Sequence, residues 1–464
     1  MTLTIRDVEV EGRAGLDVRI ADGRIAEIGP RLGRATQELD GRGGALIPGL
    51  CDHHIHLFAL AAQAESVVLD GVTSAAGLAA RIDAAVVARR PGAWIRVQGY
   101  HETMAGDLTR RDLDALAPRH RLRVQHQTGS LWMLNSLALE GLDDGAAVLE
   151  RDAAGAATGR IWRGDAWLRA RIGAEPPRLD AIGRRLAGYG VTALTDASVT
   201  TDADAAGRLA QAARRGVLPQ RLTLMSGGPL TAPADGAFAV GPVKVLLDDH
   251  ALIDLDDFIG RIALARAWGR RVAVHCVTAG ELALTLAAFD AAGAGRGDRI
   301  EHGGVIPAAA IPQLRALGLT VVTQSAFIHE RGDRYAAQVD LGEQADLYRC
   351  ASLTAAGVPV AGSSDAPYAT PDPWQAMASA IDRRSGGGRV LGGVERLAPA
   401  AALGLYLGDP ADPGGPARRI VVGVSADLCL LAGGLGEVLA DPRAERVRAT
   451  LLGGQITHEA AKAD

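Results

Sequence analysis

Lysine is nearly absent from this chain. Of its 464 residues, 49 are Lys or Arg, and only Lys244 and Lys462 are lysines. An excess of Ala, Gly and Arg indicates a GC-rich genome, which accounts for the scarcity but not for the survival of Lys244 in the apolar run "VKVLL". Cysteine is also sparse: Cys51, Cys276, Cys350 and Cys429 form no close pair, which excludes a disulfide framework and predicts four buried small hydrophobes. No uncharged apolar run is long enough to cross a bilayer, so no membrane partner is expected. The start "MTLTIRDVEVEGR" lacks the basic and apolar regions of a signal peptide, which predicts a cytoplasmic protein. A net charge of −5 without a basic stripe argues against nucleic acid as a partner. A small-molecule substrate is expected instead, and a homo-oligomer is left open.

What is present is alternation. Eight short apolar runs, "LCDHHIHL", "GVTALTDAS", "RLTLMSG", "VKVLLDD", "VAVHCVT", "RIEHGG", "TVVTQSA" and "VPVAGSSD", are spaced as the strands of an α/β fold. Amphipathic segments such as "LDDFIGRIALARAWG" and "AGELALTLAAFDAAG" separate later members. Eight strands close a (β/α)8 TIM barrel. Short strands with a "DG" turn fill residues 1–50, and a similar texture returns over 415–464, predicting one composite β domain built from both termini. Residues 51–414 form the barrel. Two further strand-like runs, "AWIRVQGYH" and "RLRVQHQTG", mark an insertion after the first barrel strand, roughly residues 75 to 175, expected to overhang the barrel mouth.

Several barrel strands end in metal-ligand residue types. In the first, His54 and His56 alternate onto one face with Asp52, while His53 turns away. The fifth ends at His275, the sixth at His302 and the eighth at Asp365, all at the rim where barrel enzymes place their chemistry. A lone buried histidine is commonly a satisfied core residue, and a strand-end Asp commonly caps the next helix. Four strands ending in nitrogen and carboxylate donors together point to one or two divalent cations, with zinc favoured. Lys244 ends the fourth strand on the same axis. Burial favours its neutral amine, which can take up carbon dioxide and become a bridging carbamate, a modification closed to arginine. The bland alternative is an unmodified lysine bonded to Asp248 or to a substrate.

At these residues the chain resembles the amidohydrolase superfamily. "IPGLCDHHIH" is similar to its first-strand metal motif, "VKVLLDD" to its bridging-lysine strand, and "VAVH", "RIEHG" and "AGSSDAP" to its later ligand strands. Nearly the whole chain resembles the branch that includes N-substituted formamide deformylase. Where such relatives often carry Trp-Asp, this chain has Tyr100-His101, and where they often carry "SGH" it has "TGS". The resemblance implies that one metal takes His54, His56, Lys244 and Asp365, and a second Lys244, His275 and His302. It also implies hydrolysis of a non-peptide C–N bond by metal-activated hydroxide, with Asp365 as catalytic proton shuttle and Lys244 as carbamylated ligand. His101, His126, Trp132 and His329 are candidate substrate contacts. Two other readings remain: a mononuclear heterocycle deaminase, which usually needs no fourth-strand lysine, and a scaffold without catalysis. Ser363 and Ser364 lack a G-x-S-x-G elbow, and "GAGRGD" precedes a strand rather than a helix, so serine hydrolase and dinucleotide readings fail.

Overall fold

A computed structural model describes residues 2–142, 146–173, 177–248 and 252–461; Lys462 lies outside the described residues. The described chain divides into two compact units, residues 1–57 with 179–464, and residues 58–178.

The larger unit holds an eight-stranded parallel sheet formed by Leu50–Ile55, Val191–Asp196, Arg221–Ser226, Ala239–Val245, Val272–Cys276, Arg299–His302, Thr320–Thr323 and Val360–Gly362, in that spatial order. These are the eight runs expected, and the fold is the (β/α)8 barrel. Most positions on them are buried, as both faces of a parallel sheet must be. Helices Leu255–Ala267 and Ala279–Ala292 occupy the expected amphipathic segments, the second opened by a capping box between Thr278 and Glu281.

The first and last strands are joined by the residues just after the last strand and by the backbone of Leu405 and Tyr406. The Asp365 amide donates to His54 O at 2.7 Å, the His56 amide to Ala366 O at 2.9 Å and the Cys51 amide to Tyr406 O at 2.9 Å. Gly362 lets this seam close, because a Cβ there would lie 2.6 Å from the Tyr406 ring.

The same unit carries the composite β domain. Its sheet runs Gln455–Glu459, Val447–Leu452, Leu428–Leu431, Ala45–Pro48, Thr2–Val10, Arg13–Ala21, Arg24–Gly29, with Gln37–Asp40 also paired to Thr2–Val10. The two ends of the chain join where Leu46 faces Leu430 and Pro48 faces Leu428. Ile5, Val18, Leu46, Leu428, Leu430 and Leu451 form its core. The expected "DG" turn is present: Asp22 and Gly23 have φ of 49° and 75°, the paired positive values of a tight hairpin turn.

The second unit is built on a sheet ordered Leu149–Arg151, Ala157–Trp162, Leu131–Leu134, Arg121–His126, Trp94–Tyr100, Val67–Val68. Its bounds, 58 and 178, are wider than 75 to 175, in part because Val67–Val68 pairs with Val97 and Gln98 and so belongs to this sheet. Trp94–Tyr100 and Arg121–His126 run parallel, with Tyr100 opposite His126.

Candidate metal centre

The first barrel strand delivers two imidazoles, and groups on the sixth strand and just after the second fix how they point. His54 Nδ1 is hydrogen-bonded to Glu301, and His56 Nδ1 lies 3.1 Å from Ser198 Oγ. With those nitrogens engaged, the Nε2 atoms turn to one carboxylate oxygen. Asp365 Oδ1 is 3.3 Å from His54 Nε2 and 3.2 Å from His56 Nε2. His302 Nδ1 is 2.9 Å from Gln324 Oε1, and the Gln324 amide donates to Ser363 Oγ at 2.9 Å. The His302 ring lies 4.9 Å from that of His54 and 4.4 Å from that of His275. Each ring thus has an outer partner or a packed neighbour of the kind that orients metal-binding histidines.

Backbone geometry is specialised at the same place. His302 and Asp365 have φ of 70° and 53°, left-handed values that cost roughly 1–3 kcal/mol for such residues. The His302 turn has a consequence for reach. Regular alternation would send Glu301 and His302 to opposite faces, yet both groups meet His54. Asp52 ties the first strand to the residues after the eighth, accepting from the amides of His54 at 3.1 Å and Ser364 at 3.0 Å.

Electrostatics concentrates here. Burial would raise the Asp365 carboxyl, but the imidazoles of His302, His54 and His56 outweigh it and hold it well below the usual carboxylate range. Glu301 is likewise held low against its burial, chiefly by Arg299 and Lys244. Burial pushes His275 down to about 4, and His302 also falls well below its ordinary value. On His54, burial and the Lys244 charge oppose protonation, but Glu301 and Asp365 prevail and its pKa is raised. Lys244 is 4 % exposed and its ammonium is destabilised by burial.

Among the described residues, the buried atoms without a hydrogen-bond partner include three of this group: His54 Nε2, Lys244 Nζ and Asp365 Oδ1. Such atoms are costly unless something else satisfies them. The donors of His54, His56 and Asp365 all lie within 4.8 Å of one another. Ligands bound tetrahedrally at about 2.0–2.1 Å are about 3.3 Å apart, close to the spacing of both histidines from Asp365. The residues fit a divalent cation.

His101, His126 and Trp132 belong to the second compact unit. Trp132 is buried in that unit, with the guanidinium groups of Arg96 and Arg123 each 5.3 Å from its ring. His329, on helix Ala326–Gln338, lies 3.3 Å from Arg384 O through Nδ1. Tyr368 is exposed, and its ring stands 5.8 Å from that of His56. Cys276 faces away from the centre, 3.2 Å from Thr285 Oγ1. Sequence reasoning missed Glu301, Arg299, Ser198 and Gln324. Only the first two carried a signal, opposite charges two apart in a short strand whose one apolar residue is Ile300.

A model of the amidohydrolase family matches residues 37–458. N-substituted formamide deformylase of Arthrobacter pascens is 24% identical, with 92% of each chain covered. Protein LONG AFTER FAR-RED 3 of Arabidopsis thaliana is 30% identical over 26% of this chain, which spans only 22% of that protein. The crystal structure of an uncharacterized metal-dependent hydrolase from Pyrococcus horikoshii OT3 superposes with a TM-score of 0.74 at 19% identity, covering 93% of this chain and 97% of that one.

Proposed function

The chain belongs to the amidohydrolase family, and on that premise we propose that it hydrolyses a non-peptide C–N bond of a small molecule. Amides, N-formyl compounds, ureas, carbamates and cyclic amides form the substrate class, in keeping with the deformylase named among its relatives. The observation that carries this reading is the convergence of His54 Nε2 and His56 Nε2 on Asp365 Oδ1, together with a buried, unpartnered Lys244 Nζ whose charge acts on His54.

His54, His56 and Asp365 would hold one divalent cation, with zinc favoured, and His275 and His302 a second. Such a cation polarises a carbonyl and makes water acidic enough to lose a proton near neutral pH. Lys244, as a carbamate, would supply a ligand to both. Its neutral Nζ attacks carbon dioxide, an N–C bond forms, a C=O electron pair moves to oxygen, and a nitrogen proton leaves to solvent. The product is an anion with two oxygen donors.

Asp365 carries the proton. Its low pKa keeps it ionised at neutral pH, ready to accept a proton from the attacking water and pass it to the departing nitrogen. Glu301 acts through His54, holding Nδ1–H so that Nε2 presents its lone pair. Gln324 does the same for His302.

The test is turnover of a panel of N-formyl amines, ureas, carbamates and cyclic imides by zinc-loaded protein, with amine or ammonia release as readout. Asp365→Asn is expected to lower kcat about 10²–10⁴-fold on any active compound. Bound metal with no hydrolysis across the panel, or an Asp365→Asn variant with full turnover, would overturn the reading.

A further inference from the structure

Two strands of the second unit end in the same three-residue pattern, His101-Glu102-Thr103 and His126-Gln127-Thr128. Both histidines are held alike. His101 Nδ1 lies 2.9 Å from Thr103 Oγ1 and accepts the Thr103 amide at 3.2 Å. His126 Nδ1 lies 2.8 Å from Thr128 Oγ1 and accepts the Thr128 amide at 3.2 Å. Parallel pairing sets Tyr100 opposite His126, so the two turns leave the sheet side by side. The rings are 5.7 Å apart and inclined by only 31°.

With each Nδ1 engaged, both Nε2 atoms face Glu102 Oε2, at 3.2 Å from His126 and 3.8 Å from His101. The Glu102 carboxyl is held below its usual range, first by its own backbone amide, with His126 and His101 adding to the effect against burial. Arg160, whose charge reaches Glu102, is engaged by Asp107 at 2.8 Å. The three donor atoms lie within 4.8 Å of one another.

We propose that His101, Glu102 and His126 form a second metal site in the second unit, taking a zinc-class divalent cation with water completing its shell. Two imidazoles and a carboxylate are the donors that suit such an ion. Their separations bracket the roughly 3.3 Å expected between ligands bound tetrahedrally at about 2.0–2.1 Å. Binding through Nε2 places the ring proton on Nδ1. That proton donates to the threonine hydroxyl, while the displaced Thr103 and Thr128 amides turn to water, which is available because both residues are exposed. The ion would fasten the two strand ends together.

The test is zinc stoichiometry of the full-length protein by equilibrium dialysis, followed by metal analysis. Wild type is expected to bind one equivalent more than the double variant His101→Ala/His126→Ala. Glu102→Gln, which keeps an acceptor but loses the charge, is expected to weaken that equivalent at least 10-fold. Thr103→Val/Thr128→Val keeps all three donors and frees both rings, and an intermediate loss of affinity is expected. Equal stoichiometry and affinity in wild type and all three variants would overturn the site and leave a hydrogen-bonded trio. Should the double variant fail to fold, the Glu102 and threonine variants still decide, since an unchanged extra equivalent in both sinks the proposal.

Discussion

Arginine supplies nearly every cation of this chain, yet a lysine stands at 244. The Lys244 amine is buried and unpartnered among the described residues, and its charge acts on His54, His275 and His302. Guanidinium stays charged and cannot form a carbamate. Lys244→Arg is therefore expected to lose bound metal and turnover at least as fully as Lys244→Ala, because it places a permanent cation among the ligands. Added short carboxylic acids are expected to restore activity to the alanine variant alone. Metal analysis and kcat measured with and without propionate check both outcomes. An arginine variant with full metal content and near-normal kcat would show that position 244 requires only positive charge.

The sixth strand shows what was legible and what was not. Its histidine was readable because ligand types at several strand ends recur in one barrel pattern. Alternation assigns Glu301 to the face opposite His302. The left-handed turn at His302 removes that opposition, and nothing in "RIEHGG" announces φ at a histidine. Ser198 and Gln324 lie just beyond strand ends, where polar residues are ordinary, so only coordinates reveal that they hold His56 and His302. Arg299 and Glu301 are 2 % and 0 % exposed and form an ion pair within this strand. Arg299→Met strands a buried carboxylate and is expected to cost about 3–5 kcal/mol of stability, measured by denaturant unfolding. Glu301→Gln keeps an acceptor for His54 and is expected to fold, with metal affinity lowered about 10–100-fold. Unchanged metal affinity in that variant would remove Glu301 from the account of the centre.

Across the whole molecule, the eight barrel strands and the joining of both ends into one sheet could be read from period and turn chemistry. The extent of the second unit could not, since a two-residue strand such as Val67–Val68 has no periodicity to detect. The composite sheet ties distant parts of the chain through Leu428–Leu431, packed between Ala45–Pro48 and Val447–Leu452. Leu430 is fully buried there. Leu430→Ala is expected to destabilise the protein by about 2–5 kcal/mol in denaturant unfolding. A loss below 1 kcal/mol would mean that this junction contributes little.

The seam that closes the barrel also sets a timetable. Asp52 and Ser364, which meet beside the metal centre, are 312 positions apart. A ribosome adding about 5–20 residues per second needs about 15–60 s to cover that interval. Throughout it, the emerging chain displays His54 and His56 without the carboxylate that completes their grip. On the proposed reading of these residues as metal ligands, selection of the ion therefore belongs to the finished barrel.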